Sequence, residues 1–377
     1  MTLLFWLSAL IIFYIYIGYP ILLRYLPKKP LHFSHQSNLP KVTVLIPAFN
    51  ESKVIEGTIK NKFSQDYPAE LLEVIVISDE SEDGTDEIVT QLAATEPRLK
   101  LIRQVPRQGK TAGLNLAMQH AQGEIIVFSD ANSHYETQGL RELVNCFSDP
   151  QVGYVTGKMV YVNSDGSLIG DGCSAYMKYE NYMRALETQV DSVVGVDGGI
   201  DAIRKELYQP MNSDQLPDFV LPLKVVTQGK RVIYCESALL NEESLSNSQS
   251  EFRMRVRVSL RAYWAMKDMK HLFNPFKYGL FSLQLTSHKL LRYLAFIPLI
   301  LAFLSNGFLT YNGFYSFTFL IQIIFYVGAA FVSLNDGTNN RWLGLANYFC
   351  LINIASAMAF LKFIKGEKIV LWKPRVG

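Results

Sequence analysis

Three short apolar runs of this chain end in side chains able to bind a ligand or move a proton. Val42-Thr43-Val44-Leu45-Ile46 leads into Pro47-Ala48-Phe49-Asn50-Glu51, Val74-Ile75-Val76-Ile77 into Ser78-Asp79, and Ile125-Ile126-Val127-Phe128 into Ser129-Asp130-Ala131-Asn132. Carboxylates at such ends accept hydrogen bonds from the N–H and hydroxyl groups of a ligand. Asp130 closes a buried strand, where a carboxylate is costly unless it is paired or metal-bound. Lys110 follows Gly109 in a loop that opens a helix. An ammonium beside a helix N-terminus suits a diphosphate. The four cysteines and six histidines are scattered, with no CxxC pair and no zinc spacing. That cysteine usage suits a reducing compartment.

The elements that position these residues alternate. A third strand is expected at Leu99–Ile102, and helical patterns cover 53–63, 86–94 and 111–119. Near-continuous apolar strands separated by helices imply a parallel sheet covered on both faces. Ligands of such sheets sit at the C-terminal strand ends, where Glu51, Asp79, Asp130 and Asn132 fall. A dinucleotide oxidoreductase would need GxGxxG after the first strand; Pro47-Ala48-Phe49-Asn50-Glu51 stands there instead, which excludes that class.

Charged residues make up 19% of the 377 residues, and they are unevenly spread. Residues 1–23, 293–335 and 343–361 contain no Asp, Glu, Lys or Arg, whereas 40–270 has ordinary soluble composition. This excludes a plain cytosolic enzyme, a disordered chain and a coiled coil. It implies a soluble domain held between membrane segments. The net charge of +2 favours no partner, and the middle domain has no basic patch with interleaved aromatics for nucleic acid. The domain plan read from this is an anchor in 1–30, a catalytic domain in 40–270, an interfacial amphipathic helix in 271–288, spans in 289–364 and a basic tail in 365–377. The first span runs from about Leu3 to Leu22 and is expected to remain uncleaved. Arg24, Lys28 and Lys29 behind it place the following domain in the cytoplasm of an inner-membrane protein. Two further spans are expected near 290–309 and 314–333 and a last one near 343–363. Four crossings would put the basic tail outside, against the charge rule, unless one C-terminal segment lies in the interface or re-enters.

Taken in order, Pro47-Ala48-Phe49-Asn50-Glu51, Asp79-Glu80-Ser81-Glu82-Asp83-Gly84-Thr85, Gly109-Lys110-Thr111-Ala112-Gly113-Leu114-Asn115 and Ser129-Asp130-Ala131-Asn132 resemble family-2 glycosyltransferases with the α/β, Rossmann-like GT-A fold. With the apolar C-terminal segments, the chain is similar to the membrane-embedded branch that includes hyaluronan, chitin, cellulose and poly-N-acetylglucosamine synthases. It departs from that pattern at three places. Ser78-Asp79-Glu80-Ser81 replaces Asp-Asp-Gly-Ser, Asn132 replaces the second acid of Asp-x-Asp, and Ser250-Glu251-Phe252-Arg253-Met254 is the nearest match to the synthases' Gln-x-x-Arg-Trp.

The resemblance implies an inverting hexosyltransferase acting on a nucleotide sugar, UDP-linked by expectation, with a saccharide or lipid-linked acceptor. Its product would feed a cell-surface polysaccharide or glycolipid. The carry-over places Ala48, Glu51 and Asp79 at the nucleoside, Lys110 at the diphosphate, and Mg²⁺ or Mn²⁺ at Asp130 with Asn132. Asp218, in Leu216-Pro217-Asp218-Phe219, is the surviving acid of the family's usual acidic pair and takes the role of general base. Arg253 and Arg257 are the diphosphate-contacting candidates of a basic helix face; an inner-leaflet contact is the other reading of that face. Tyr176, Glu180, Gly198 and Gly199 belong to the region that floors the acceptor site. A processive synthase that extrudes its polymer is the rival enzyme reading, and an inactive scaffold subunit the rival from another class.

Overall fold

The computed structural model describes residues 1–34, 38–162, 172–243, 248–334 and 341–369. The chain forms two compact units. One comprises 28–168, 187–244 and the tail from 368; the other comprises 1–27, 169–186 and 245–367.

The first unit is built on an eight-stranded mixed sheet, order β3-β2-β1-β4-β7-β6-β8-β5. The strands are β1 (Val42–Ala48), β2 (Leu72–Ser78), β3 (Leu99–Arg103), β4 (Ile125–Ser129), β5 (His134–Tyr135), β6 (Val152–Val162), β7 (Ile200–Arg204) and β8 (Arg231–Glu243). β1 pairs in parallel with both β2 and β4, and β2 with β3, as the unbroken apolar runs imply. Every residue of β1, β2 and β4 is buried. Each such Val, Ile or Leu side chain contributes about 1.5–3 kcal/mol when withdrawn from water. The second half is not parallel throughout: β7 runs antiparallel to β4 and β6, and β5 antiparallel to β8. Helices Ile55–Phe63, Thr85–Ala93 and Lys110–Met118 occupy the three expected positions. The chain goes to β2 on one side of β1 and to β4 on the other. This switch point opens a crevice at the carboxyl ends of β1 and β4, and Glu51 and Asp130 follow those ends.

Among the described residues of the second unit three helices are long and apolar enough to cross a membrane: Thr2–Tyr25, Gly313–Leu334 and Trp342–Ile364. The expected span near 290–309 is instead a pair, Leu280–Tyr293 and Phe296–Gly307, bent by 56°. Pro298 contributes to the break, because it has no N–H for the carbonyl of Leu294. It counts as a fourth crossing only if its halves act as one. The segment expected to be an amphipathic helix over 271–288 is also subdivided. Gly279 at φ +53° separates Pro275–Tyr278 from Leu280–Gln284, and the Asn274 side chain accepts from the Phe276 N–H at 3.0 Å. Residues 335–340 and the tail from 370 lie outside the described residues.

Candidate active site

The loops after β1 and β2 are tied to each other. Asn50 and Glu80 adopt positive φ (55° and 62°), a rare backbone state for non-glycine residues that is often found at functional turns. The Asn50 N–H donates to Ser81 Oγ (3.1 Å), the Glu51 N–H to Thr85 Oγ1 (2.9 Å) and the Glu82 N–H to Asn50 Oδ1 (2.9 Å). Ala48 accepts from the Asp79 N–H at 2.9 Å.

Asp79, 3% exposed, has its carboxylate filled by protein donors. Gln104 Nε2 (2.5 Å), the N–H groups of Gln108 (2.9 Å) and Gly109 (3.1 Å), and Arg107 Nε (3.2 Å) all point at it. Asp79 therefore holds the loop that carries Lys110. Arg107, which the motifs do not single out, lies 3.4 Å over the Phe49 ring at the same edge.

Lys110, Asp130 and Asp218 come from three separate elements and converge. Lys110 Nζ lies 2.8 Å from Asp130 Oδ1 and 3.7 Å from Asp218 Oδ1. All three side chains stay partly open to solvent (20%, 36% and 28% exposed), so a ligand can reach them. Burial alone would lower the Lys110 pKa; the carboxylates of Asp130 and Asp218 outweigh it and hold the ammonium charged, above the ordinary lysine value. Asp218 stands in the first turn of helix Pro217–Thr227, set there by Pro217 at a favoured helix-start position. Asp214, the neighbouring acid, pairs with Lys368 of the tail.

Gly198 and Gly199 lie behind this cluster. Gly198 has φ +87°, and a Cβ there would stand 2.6 Å from the Asp218 carboxyl carbon. Its N–H donates to Asp201 Oδ2 (3.0 Å). A Cβ on Gly199 would meet Leu240 at 2.7 Å, and its carbonyl accepts from the Tyr135 hydroxyl (3.0 Å).

Sequence reasoning missed Asp201, a fully buried acid on β7 that also accepts from the Tyr154 hydroxyl (3.0 Å). The available signal was an acid inside the apolar run Ile200–Ile203. Burial pushes its carboxyl up to about 7; bonds from Thr156 and Tyr154 oppose this, and the charges of Asp218 and Asp197 reinforce it. A carboxyl whose folded pKa exceeds its unfolded value, about 4, stabilises the fold below that value and loses the contribution as pH rises toward 7. Asp201→Asn copies the protonated form. Its thermal midpoint in detergent should exceed that of the parent at pH 8, and the gap should narrow as pH falls, closing only below about pH 4; equal midpoints at pH 8 would refute the buried neutral acid.

The carboxyls of Asp130, Asp218, Asp201 and Asp197 share this region with the Lys110 ammonium. A carboxylate oxygen such as that of Asp130 is the kind of ligand a hard divalent cation takes. Asn132 stands in the turn two residues past Asp130. Among the described residues no group of three His, Cys, Asp or Glu is spaced to hold a metal. A cation at Asp130 would thus take its remaining ligands from diphosphate oxygens and water.

The other predicted site residues lie in the second unit. Tyr176 and Glu180 are on helix Gly172–Val190, Arg253 and Arg257 on helix Ser248–Asp268. Glu180 is buried, with Arg292 Nη1 at 2.5 Å and His288 Nε2 at 3.3 Å. Tyr176 packs against Tyr348, Arg255 and Arg292. Arg253 is exposed and Arg257 half-buried.

The mixed sheet with its acid-lined switch-point crevice is a GT-A, Rossmann-like glycosyltransferase fold. The chain is similar to a mannosyltransferase from Pyrobaculum calidifontis solved with GDP-Man and Mn²⁺, with a TM-score of 0.74 and 22% identity over 97% of this chain and 99% of that one. Residues 43–209 match the family described as Glycosyl transferase family 2, and over these residues the chain carries a domain of that family. A probable glycosyltransferase YdaM of Bacillus subtilis is 34% identical over 139 residues, 36% of this chain and 33% of that protein. A beta-monoglucosyldiacylglycerol synthase of Nostoc sp. is 29% identical over 182 residues, 47% of this chain and 39% of that protein. The chain thus spans little more than a third of the length of these curated relatives.

Proposed function

We propose that this chain transfers a sugar, with inversion, from a nucleotide sugar to a saccharide or lipid-linked acceptor at the cytoplasmic face of the membrane, supplying a cell-surface polysaccharide or glycolipid. The convergence of Lys110, Asp130 and Asp218 carries the reading. Inverting transfer needs a base for the acceptor hydroxyl and positive charge for the departing diphosphate. Asp218 supplies the first and Lys110 part of the second. Asp130, with Asn132, would hold the Mg²⁺ or Mn²⁺ that neutralises the charge growing on the leaving group. Ala48, Glu51 and Asp79 frame the nucleoside end, Asp79 by holding the loop beneath it. Arg253 and Arg257 are assigned to the diphosphate, and Tyr176, Glu180, Gly198 and Gly199 to the acceptor side. Met254 in place of the synthase tryptophan favours single transfer over processive synthesis. A screen of nucleotide sugars on the purified chain, reading nucleotide diphosphate release, tests the reading; no release from any donor would refute it.

Activity is expected to vanish in EDTA and to return with Mg²⁺ or Mn²⁺, whereas Asp130→Ala should show no rescue. Asn132→Asp should restore activity at lower metal concentration, since a second carboxylate tightens metal affinity. Full activity in chelator would remove the cation from the site. For the orientation, a cysteine placed at exposed His134 should escape an impermeant maleimide in intact cells and react after lysis. Labelling before lysis would reverse the topology.

A further inference from the structure

The fold brings together two thiols that lie far apart in the sequence. Cys146 starts the 3₁₀ turn after helix Gly139–Asn145, and Cys235 lies on β8, against which that helix packs. Cys146 Sγ lies 3.4 Å and Cys235 Sγ 3.6 Å from one atom, the carbonyl oxygen of Glu142. The two thiols also hydrogen-bond each other. Both are buried, and neither belongs to a disulfide. Both nevertheless line an open crevice of about 730 Å³ in the first unit, walled by Leu31, Phe33 and Tyr234 and flanked by Glu142 and Glu236. A space of this size admits a small ligand.

A thiol reacts as its thiolate, and of the two Cys235 ionises first. The Cys146 thiol donates to its sulfur, with Ser237 and the Ala238 N–H as further partners. Together they outweigh burial and the Glu142 charge and bring Cys235 down to about 7. The same pairing, joined by burial, pushes Cys146 up. One sulfur is thus set to attack and the other to resolve, the arrangement that exchange with a small disulfide requires. In the first step the Cys235 thiolate attacks one sulfur of the incoming disulfide. Its S–S bond breaks, and the other half leaves as a thiolate that takes up a proton. In the second step Cys146 gives up its proton and attacks the Cys235 sulfur, and the remaining half leaves as a thiol with that proton. The two protein thiols lose two electrons and two protons, and the small disulfide is reduced to two thiols.

We propose that Cys146 and Cys235 are a reversible dithiol–disulfide pair, reached by small disulfides through this crevice. In a reducing compartment the pair rests as two thiols and closes when small disulfides accumulate. The bridge would tie the turn at Cys146 to β8 and close a covalent loop that contains Asp201 and Asp218. The proposal does not depend on the transfer reading. The test uses the full chain in detergent, reduced and then freed of reductant. Glu142 and Glu236 would repel an anionic disulfide, so the oxidant is cystamine, whose ends are ammonium groups. The chain is incubated with cystamine, quenched with N-ethylmaleimide, digested without reductant and mapped by mass spectrometry. The expected result is one cross-linked pair of peptides carrying Cys146 and Cys235, released by dithiothreitol. The bridged chain should also melt above the reduced one, because closing a long loop restricts the unfolded chain. Cys146→Ser removes the resolving thiol and should trap cysteamine as a mixed disulfide on Cys235. Cys235→Ser should leave Cys146 about tenfold slower toward cystamine, since the sulfur that ionises first is gone. Mapping of the parent chain decides even where a serine variant fails to fold. Recovery of both cysteines as maleimide adducts, or as separate cysteamine adducts, would overturn the pair. So would a link from either one to Cys173 or Cys350. A bridge that lowered the thermal midpoint would belong to a distorted chain and would overturn it as well.

Discussion

Asp218→Asn is expected to lower turnover by roughly 10²–10⁴-fold, the range for losing a general base. Asn keeps the shape of the side chain and cannot take the acceptor's proton. Lys110 retains its closer partner, Asp130 at 2.8 Å, so the diphosphate end of the site should survive and KM for the donor should change little. Folding should survive as well. Asp218 lies in the first turn of helix Pro217–Thr227, where Asn is nearly isosteric and the lost charge is worth about 0.3–1 kcal/mol through the helix dipole. The measurements are single-turnover product formation, donor KM and the thermal midpoint. A large drop in turnover with the other two preserved separates catalysis from structure. Turnover near wild type would move the base elsewhere. Asp214 would be the next acid in sequence, although its pairing with Lys368 fills the position a substrate hydroxyl would need.

The parallel half of the sheet was legible because its strands are buried on both faces, and such strands read as unbroken apolar runs. Ile46, Ile77 and Phe128 announce β1, β2 and β4, and the polar residues after them mark the switch-point edge. Chain order also placed Lys110 and Asp130 at that edge. The antiparallel half was not legible as pairing. β7 is five residues long and lies in the sheet between β4 and β6, strands distant from it in sequence, so its antiparallel pairing could not be inferred from local pattern. Asp201 escaped notice for a related reason: an acid in a strand reads as an edge or loop signal, and only the tertiary fold supplies Tyr154 and the Gly198 N–H that make its burial tolerable. The role of Asp79 was blurred in the same way. Its motif position suggests the ligand, while its hydrogen bonds go to Gln104, Arg107, Gln108 and Gly109. Among the apolar segments, composition gave the lengths of the helices. It did not give the 56° bend before Phe296.

Gly198→Ala tests whether Asp218 is held by the backbone behind it. A Cβ at this position would sit 2.6 Å from the Asp218 carboxyl carbon and 2.7 Å from Oδ2, closer than real contacts allow. The carboxylate, as the movable partner, must swing away. A displacement of about 1 Å in a positioned catalytic group can cost roughly 10²-fold in rate, and that is the expected loss in turnover. Backbone strain is a competing cause, because φ +87° is unfavourable to alanine. Gly229 separates the two effects: its φ is +76°, and nothing lies within 4 Å of where a Cβ would be. Gly229→Ala should therefore lower the thermal midpoint by an amount like that of the strain in Gly198→Ala while leaving turnover near the parent value. Combining Gly198→Ala with Asp218→Asn supplies the decisive comparison. If the glycine acts only through Asp218, the double variant should be scarcely slower than Asp218→Asn alone, since sites acting as one unit are not additive. Losses that multiply would mean that Gly198 serves the reaction by a separate route, such as the acceptor contact suggested by its motif position.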